Sequence, residues 1–305
     1  MSGHVPVMLE EVVEAMAPRD GAHYVDGTFG GGGYARALLD AARCRVLGID
    51  RDPAAIARGR EMAARYEGRL TLVQGAFSEM EAYLAGEASD GVMLDLGVSS
   101  HQIDEAGRGF SFRADGPLDM RMSGEGESAA DLVNTADESA LARIIGELGE
   151  ERFARRIARA IVAARPLSRT AELAGVVSKA LGPQAARYAI HPATRTFQAL
   201  RMHVNDELGE LSRGLEAAAR VLRPHGRLAV VAFHSLEDRM VKRFLNQHAR
   251  PAAASRHAPQ RQSAQRSAQT FRLIGKQPRV PGAAEQQRNP RSRSARLRVA
   301  ERLAA

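Results

Sequence analysis

The sequence predicts an α/β fold whose parallel sheet is interrupted by a large helical insertion. In the first hundred residues, short apolar runs of β character alternate with stretches of helical periodicity, which is typical of parallel βαβ units. Between about residues 120 and 213 only helical patterns continue, and a βα pattern then returns. A chain of 305 residues is long enough for one doubly wound sheet that carries such an insertion.

Four short apolar runs in the amino-terminal part are predicted to be strands. They are Ala22–Val25, Arg45–Ile49, Leu70–Val73 and Gly91–Leu96. Three of these strands run into a carboxylate, namely Asp26, Asp50 and Asp95. Because open α/β sheets bind ligands outside the carboxyl ends of their strands, the three acids are predicted to lie at a ligand site.

The inserted helices are predicted to have one packed face and one basic face. Apolar residues recur at helical spacing at Phe153, Ile157, Ile161 and Ala164. The other face carries four arginines, which are Arg152, Arg155, Arg156 and Arg159. Composition alone leaves open whether these arginines contact phosphates or are only solvated.

The carboxy-terminal part returns to the βα pattern. Four leucines predict a helix that leads through a turn at residues 223–226 into the strand Arg227–Phe233; they are Leu208, Leu211, Leu215 and Leu222. Residues 251–269 are predicted to be a mobile loop, and Phe271–Ile274 and Leu297–Val299 a terminal antiparallel pair. We therefore expect a discontinuous domain over residues 1–119 and 214–305 and an inserted domain over residues 120–213.

Composition restricts the class of protein. Hydrophobic residues make up 44% and charged residues 26%, which are globular proportions, and no apolar run approaches the length of a membrane span. The amino terminus lacks the basic and apolar segments of a secretory signal, so a cytoplasmic location is expected. The single cysteine, Cys44, rules out a disulfide framework, and the histidines lack a tight metal-ligand motif, so no metal site is predicted.

The positive charge is concentrated near the carboxy terminus. Residues 250–302 hold 13 of the 43 basic residues and 2 of the 36 acidic ones. An arginine-rich segment of this kind is typical of proteins that bind a polyanion, although a solvated tail has the same composition.

Residues 26–35, DGTFGGGGYA, join the first predicted strand to a helix. Successive glycines let the backbone approach a ligand closely. Gly30, Gly32 and Ala35 fit the dinucleotide pattern G-x-G-x-x-G/A, and Asp50 follows at the spacing typical of a carboxylate that accepts hydrogen bonds from ribose hydroxyls. The sequence therefore predicts an adenosine-containing cofactor, with a flexible glycine turn as the structural alternative.

The charge beside this loop favours a cofactor without phosphates. A dinucleotide would place its pyrophosphate next to Asp26, where the two negative charges repel each other. S-adenosylmethionine instead carries an ammonium and a sulfonium group, which Asp26 and Asp95 attract. This argument favours methyl transfer over hydride transfer, although it leaves a nicotinamide-dependent dehydrogenase open.

Ten segments together resemble a known family. They are HVPVMLEE at 4–11, DGTFGGGGY at 26–34, GIDRDP at 48–53, DGVMLDLGVSSHQID at 90–104, RGFSFRADGPLDMRM at 108–122, AADLVN at 129–134, GEERFARRIARAI at 149–161, HPATRTFQALRMHVNDEL at 191–208, AFHSLEDRMVKRF at 232–244 and NPRSRSARLRVAER at 289–302. On these segments the chain resembles, nearly from end to end, the bacterial 16S ribosomal RNA (cytosine-N4) methyltransferases of the RsmH (MraW) family. The chain departs from the family pattern in two places: Tyr34-Ala35 stands where His-Ser is usual, and His101 where proline is usual.

The resemblance implies a class I (Rossmann-like) S-adenosylmethionine-dependent methyltransferase sheet of seven strands, with an antiparallel final strand and an inserted helical domain that recognises the substrate. It implies S-adenosylmethionine as the cofactor. The implied acceptor is N4 of a cytidine in the decoding region of 16S rRNA within the small ribosomal subunit. No membrane partner is expected, and a homodimer is left open.

The resemblance also implies roles at the cofactor site. Gly32, Gly33 and Tyr34 would line the methionine end of the cofactor. Asp50 would hold the ribose and Phe77 would lie beside the adenine, while Asp95 and Gln102 would complete the site. Two of these residues have structural alternatives, since Phe77 could belong to the core and Gln102 could form a capping box with Ser99.

The acceptor chemistry indicates what the substrate side must provide. The exocyclic amine of cytosine is a weak nucleophile because its lone pair is delocalised into the ring, so positioning of an unstacked base should dominate catalysis. The candidates for this role are Asp119, Arg121, His234 and Ser235, with Phe110, Phe112 or Phe233 for stacking. As alternatives, Ser235 could cap a helix together with Asp238, and the chain could be an RNA-binding protein without catalysis.

Overall fold

The computed structural model describes residues 6–183, 190–249 and 269–304. The chain divides into two compact units, a sheet unit of residues 1–97 and 209–305 and a helical unit of residues 98–208. The helical unit begins ahead of residue 120 because the stretch around Leu118 bonds to the helical region: Leu118 N–H donates to Ser168 O at 2.8 Å, and Thr170 N–H donates to Gly116 O at 2.9 Å. The loop expected at 251–269 lies, except for Gln269, outside the described residues.

The sheet unit contains seven strands in the order β3-β2-β1-β4-β5-β7-β6. The strands are β1 His23–Asp26, β2 Arg45–Asp50, β3 Leu70–Gln74, β4 Ser89–Asp95, β5 Leu222–Ala232, β6 Phe271–Leu273 and β7 Arg296–Arg302. Neighbouring strands from β3 to β5 are parallel, and β7 runs antiparallel to both β5 and β6. The seven-stranded sheet with an antiparallel final strand, which the resemblance implies, is confirmed.

Helices cover both faces of this sheet. Side chains alternate between faces along a strand, so Tyr24 of β1 packs in one apolar cluster and Val25 in the other. The helices of the sheet unit are α1 Leu9–Met16, α2 Gly33–Ala41, α3 Pro53–Arg65, α4 Met80–Tyr83, α11 Glu207–Val221, α12 Ser235–Ala249 and α13 Ala283–Arg288. Helices α1 and α2 pack on the Tyr24 face, and α4, α11 and α12 on the Val25 face.

The helical unit has its own apolar core. Its helices are α5 Ser100–Asp104, α6 Ala129–Thr135, α7 Glu138–Gly149, α8 Ala154–Ala163, α9 Thr170–Leu181 and α10 Thr194–Val204. On α8, Ile157 and Ile161 are fully buried in that core, as the periodicity predicts. None of the described helices is long and apolar enough to cross a membrane.

Residues 223–226, where a turn was expected ahead of the strand, interrupt the pairing of β5 with β4 inside the strand. These residues belong to β5, which begins at Leu222 and ends at Ala232, so Leu222 lies in the strand and not in the preceding helix. The register of β5 against β4 shifts between Ser89 and Gly91, and His225 adopts a left-handed backbone with φ of 66°. Proline and glycine here mark an irregularity within a strand, which a sequence pattern does not separate from a turn.

Candidate cofactor site and substrate-side residues

Three carboxylates end three neighbouring parallel strands. Asp50, Asp26 and Asp95 are the last residues of β2, β1 and β4, which lie side by side in that order. Because the strands are parallel, their carboxyl ends meet at one edge of the sheet. The structure thus places these three predicted acids at a common edge.

Asp26 is completely buried and only partly hydrogen-bonded. Its Oδ1 accepts a long hydrogen bond of 3.3 Å from Thr28 N–H, and its Oδ2 has no hydrogen-bond partner in the described part of the chain. Burial, reinforced by the charge of Asp50, raises the pKa of Asp26 from 3.8 to about 7. A buried carboxylate with an unfilled acceptor has a strong preference for a cationic donor.

Asp95, at the end of β4, is partly exposed as a residue but has one buried carboxylate oxygen. Its Oδ1 is buried without a hydrogen-bond partner among the residues that the structure describes. Burial, and then the charges of Asp26 and Glu237, raise the pKa of Asp95 well above its usual value. Its backbone N–H donates to Thr28 Oγ1 at 2.6 Å, so the glycine loop is tied to the end of β4.

Asp50 differs because the backbone already holds both of its oxygens. Oδ2 accepts from Gly30 N–H at 2.7 Å, and Oδ1 accepts from Asp52 N–H at 2.8 Å. Burial raises the pKa of Asp50, and these two N–H groups oppose the rise. Each carboxylate oxygen keeps a second lone pair, so a rigidly held Asp50 can still accept from ribose hydroxyls.

The glycine loop is shaped by its own aromatic residue. Phe29 is buried beneath the loop, and its N–H donates to Ile49 O at 2.9 Å. Gly32 has a φ of 71° at the start of α2, and a Cβ there would overlap the side chains of Phe29 and Met62. These contacts are a sufficient reason for glycine at position 32, whether or not a ligand binds there. The predicted role of Gly32 at the cofactor therefore stays a prediction.

Gly33 and Tyr34 contact the amino-terminal segment. A Cβ on Gly33 would overlap the ring of Pro6. The Tyr34 side chain is buried, and its hydroxyl donates to the carbonyl oxygen of Val7. Burial, followed by the charges of Asp95 and Asp26, raises the pKa of Tyr34 well above its usual value.

Phe77 is half-buried between the sheet edge and α11. A Cβ on Gly214 would overlap its ring, so one edge of the ring packs against that helix. Ser78 fixes this stretch, since its N–H and its hydroxyl each donate to the buried Glu210 carboxylate at 2.9 Å. Both the position of Phe77 and its partial exposure suit the predicted contact with adenine.

Gln102 lies in the helical unit and is buried. The capping box that the sequence offered as an alternative is confirmed: Gln102 N–H donates to Ser99 Oγ at 3.2 Å, and Ser99 N–H donates to Gln102 Oε1 at 2.9 Å. This structural role accounts for Gln102, and its cofactor role remains a prediction.

Asp119 and Arg121 form one hydrogen-bonded pair in the helical unit. Asp119 Oδ1 accepts from Arg121 Nε at 3.0 Å, and Oδ2 accepts from Nη2 at 2.6 Å. Burial raises the pKa of Asp119, but the hydrogen bonds and charge of Arg121 outweigh it and leave the pKa below its ordinary value. Asp119 is therefore an ionised acceptor at neutral pH, and 28% of each side chain is exposed.

His234 and Ser235 lie where β5 gives way to α12. Glu237, which the sequence analysis did not single out, supplies the cap: its Oε2 accepts from Phe233 N–H at 2.8 Å and from His234 N–H at 3.3 Å. Its Oε1 lies 3.0 Å from His234 Nε2. Asp238 accepts from Arg298 Nε of β7 at 2.8 Å.

The edge of the sheet fits the methyl donor that its charge predicted. Two buried carboxylate oxygens without hydrogen-bond partners in the described chain, one on Asp26 and one on Asp95, match the ammonium and sulfonium charges of S-adenosylmethionine. The negatively charged pyrophosphate of a dinucleotide would be repelled by the same two oxygens. The residues present therefore favour methyl transfer.

Comparison with known proteins agrees with this geometry. The model of the MraW methylase family matches residues 1–303. A "Ribosomal RNA small subunit methyltransferase H" from Rhodospirillum centenum is 58% identical over 308 residues, covering 99% of this chain and 93% of that protein. Proteins of the same name from Xanthobacter autotrophicus, 57% identical over 99% of this chain and 88% of that protein, and from Acidiphilium cryptum, 55% identical over the whole of both chains, are similar to it as well. A match of this extent shows that the chain belongs to the MraW methylase family, whose methyl donor is S-adenosylmethionine.

Proposed function

We propose that this protein transfers the methyl group of S-adenosylmethionine to N4 of a cytidine in the decoding region of 16S rRNA, making N4-methylcytidine. The observation that carries the methyl-donor half is a pair of buried carboxylate oxygens, on Asp26 and Asp95, that have no hydrogen-bond partner among the described residues. Support for the rRNA half comes from the relatives described above, which are ribosomal RNA small subunit methyltransferases.

S-adenosylmethionine supplies an electrophilic methyl group on a sulfonium, so the chain has little covalent chemistry to perform. Asp26 and Asp95 attract the positive charges of the donor. Asp50, held by two backbone N–H groups, accepts from the ribose hydroxyls, and Phe77 presents a ring edge to the adenine. Gly32, Gly33 and Tyr34 enclose the methionine end, and Gln102 is the predicted contribution of α5.

On the substrate side, hydrogen-bond acceptors must hold the amine of cytosine so that its lone pair faces the methyl group. Asp119 is an ionised acceptor that Arg121 fixes in one orientation. His234 and Ser235 stand at the end of β5, where Glu237 fixes the backbone. A strong base is not required before attack, because the amine becomes acidic only as the new bond forms.

The basic face of α8 is the proposed contact with the RNA backbone. Its arginines Arg155, Arg156 and Arg159, together with Arg152 just ahead of the helix, are all exposed, while the opposite face is buried. Arg152 lies over the ring of Phe153 at 4.7 Å, and Arg159 lies 3.6 Å from Glu138. Four exposed guanidinium groups in this short stretch suit the phosphates of a structured RNA.

The test is methylation of purified 16S rRNA, small subunits and intact ribosomes from an undermethylated strain, followed by nucleoside analysis. We expect N4-methylcytidine to form in the rRNA and Asp95→Asn to abolish it. A methyl group on another atom of cytosine, or on another nucleoside, would contradict the proposed acceptor. Comparing the three substrates also tells whether free RNA or the assembled subunit is used.

A second experiment tests whether the cofactor and the RNA are bound by different residues. Asp50→Ala should weaken the binding of S-adenosylmethionine and leave RNA binding intact, and charge reversal at Arg155 and Arg159 should do the opposite. Calorimetry with each ligand separately measures both effects. Equal losses for the two ligands would contradict the assignment of the two sites.

A further inference from the structure

Residues Pro6–Met8 are fixed against the glycine loop by contacts with distant parts of the sheet unit. The Tyr34 hydroxyl donates to Val7 O, and the ring of Pro6 fills the space that a Cβ on Gly33 would need. Met8 N–H donates to Glu285 Oε1 of α13 at 2.7 Å, a contact across 277 positions of the chain. The amino-terminal segment is thus held at consecutive residues.

The backbone of this segment also shows that it is held firmly. Met8 is fully buried and adopts a left-handed conformation with φ of 55°, which residues other than glycine rarely adopt. Such a conformation persists only where surrounding contacts stabilise it. The hydrogen bond to Glu285 and the burial of the Met8 side chain are those contacts.

These contacts lie next to the acidic edge of the sheet, because Tyr34 follows the glycine loop at the start of α2 and Thr28 of that loop accepts from Asp95 N–H at 2.6 Å. After burial, the carboxylates of Asp95, Asp26 and Glu285 are the main causes that raise the pKa of Tyr34. The phenol therefore stays protonated and remains a hydrogen-bond donor to Val7 at any physiological pH. Glu285 comes from α13 in the carboxy-terminal region, and its carboxylate accepts from Met8 N–H, next to the Val7 carbonyl that Tyr34 binds.

We propose that the Pro6–Met8 segment is a wall of the methionine end of the S-adenosylmethionine site, and that Tyr34 and Glu285 are positioning residues that hold this wall in place. A wall seated on Gly33 excludes water from the charges of the amino acid portion of the cofactor. Ion pairs gain strength when water is excluded, because the effective dielectric constant falls. The inference rests on the methyl-donor half of the proposed function and not on the identity of the RNA.

The test compares two ligands that differ only at the methionine end. 5′-Methylthioadenosine keeps the adenosyl group and the methylated sulfur of S-adenosylmethionine but lacks the amino acid portion, and its sulfur is therefore an uncharged thioether. We expect Tyr34→Phe and Glu285→Ala to weaken the binding of S-adenosylmethionine about 5- to 30-fold and to leave the binding of methylthioadenosine unchanged. Calorimetry on the full chain without RNA measures both affinities.

A matched control is Glu14→Ala, because Glu14 is an exposed carboxylate on α1 whose partner, Arg279, lies 3.0 Å away at the surface. This variant should bind both ligands like the unmodified protein. Equal losses for the two ligands in the Tyr34 and Glu285 variants would show a general folding defect and overturn the proposal. Unchanged affinity for S-adenosylmethionine would overturn it as well.

Hydrogen exchange of the unmodified protein gives a second test that does not depend on any variant. S-adenosylmethionine should slow amide exchange in the peptide that contains Val7 and Met8, and methylthioadenosine should slow it much less. Equal exchange with and without S-adenosylmethionine would contradict the placement of the wall. Failure of rRNA methylation would leave these binding results unaffected, so the two hypotheses fail separately.

Discussion

Replacing Asp26 by asparagine should stabilise the fold while it weakens cofactor binding. The rise of the Asp26 pKa from 3.8 to about 7 means that ionising this buried carboxyl in the folded protein costs about 4 kcal/mol, at 1.36 kcal/mol per pKa unit. Asparagine keeps an oxygen that can accept from Thr28 N–H and has no charge to bury. The variant is therefore expected to have a higher free energy of unfolding at alkaline pH.

The sign of the pH dependence follows from proton linkage. The folded pKa lies above the unfolded one, so between about pH 4 and 7 the folded state binds more protons, and the free energy of unfolding falls as pH rises through this window. An asparagine side chain at this position does not titrate. The advantage of Asp26→Asn over the unmodified protein should consequently be about 2–3 kcal/mol larger at pH 8 than at pH 5.

Equilibrium unfolding in urea at the two pH values measures this difference. Comparing the change with pH, and not the absolute stability, cancels any pH-independent effect of the substitution on packing. Asp238→Asn is the matched control, because Asp238 accepts from Arg298 at 2.8 Å and its loss should destabilise the protein at both pH values. If the advantage of Asp26→Asn is the same at pH 5 and pH 8, the assigned ionisation of Asp26 is wrong.

Three further results are expected. Affinity for S-adenosylmethionine should rise as pH increases through about 7 in the unmodified protein, since Asp26 gains its charge there, and calorimetry should show a smaller rise in Asp26→Asn. Charge reversal at Arg155 and Arg159 should make the affinity for RNA less dependent on salt. The slope of log affinity against log salt concentration should fall in magnitude by about 0.7–0.9 for each phosphate that the protein no longer neutralises. The control Arg60→Glu, on the exposed face of α3, should leave this slope unchanged. Gly32→Ala should lower the free energy of unfolding by about 1–3 kcal/mol more than Gly21→Ala. Both glycines have a positive φ, but of the two only Gly32 has side chains where a Cβ would lie. Equal losses in the two variants would show that backbone strain alone determines the loss of stability.

Much of the fold was predictable because its signals are local. Strand and helix periodicities depend on neighbouring residues, and the strand positions expected from them overlap observed strands of the sheet unit. The carboxylates that follow three of these strands were visible for the same reason, since parallel strands bring their carboxyl ends together. An error arose where one local pattern fits two structures: Leu222 was assigned to the helix but lies in β5, which continues past the irregularity at His225.

The sequence by itself determined the order of the secondary structure, the acidic character of the candidate site and the basic face of α8. Only the tertiary structure decided which acids keep an oxygen without a hydrogen-bond partner in the described part of the chain: Asp26 and Asp95 do, while nearby backbone N–H groups bind both oxygens of Asp50. It also decided that Thr28 binds the end of β4 and that Glu285 holds Met8. The physical reason is that burial and hydrogen-bond partners are set by residues far apart in the chain, and periodicity carries no information about them.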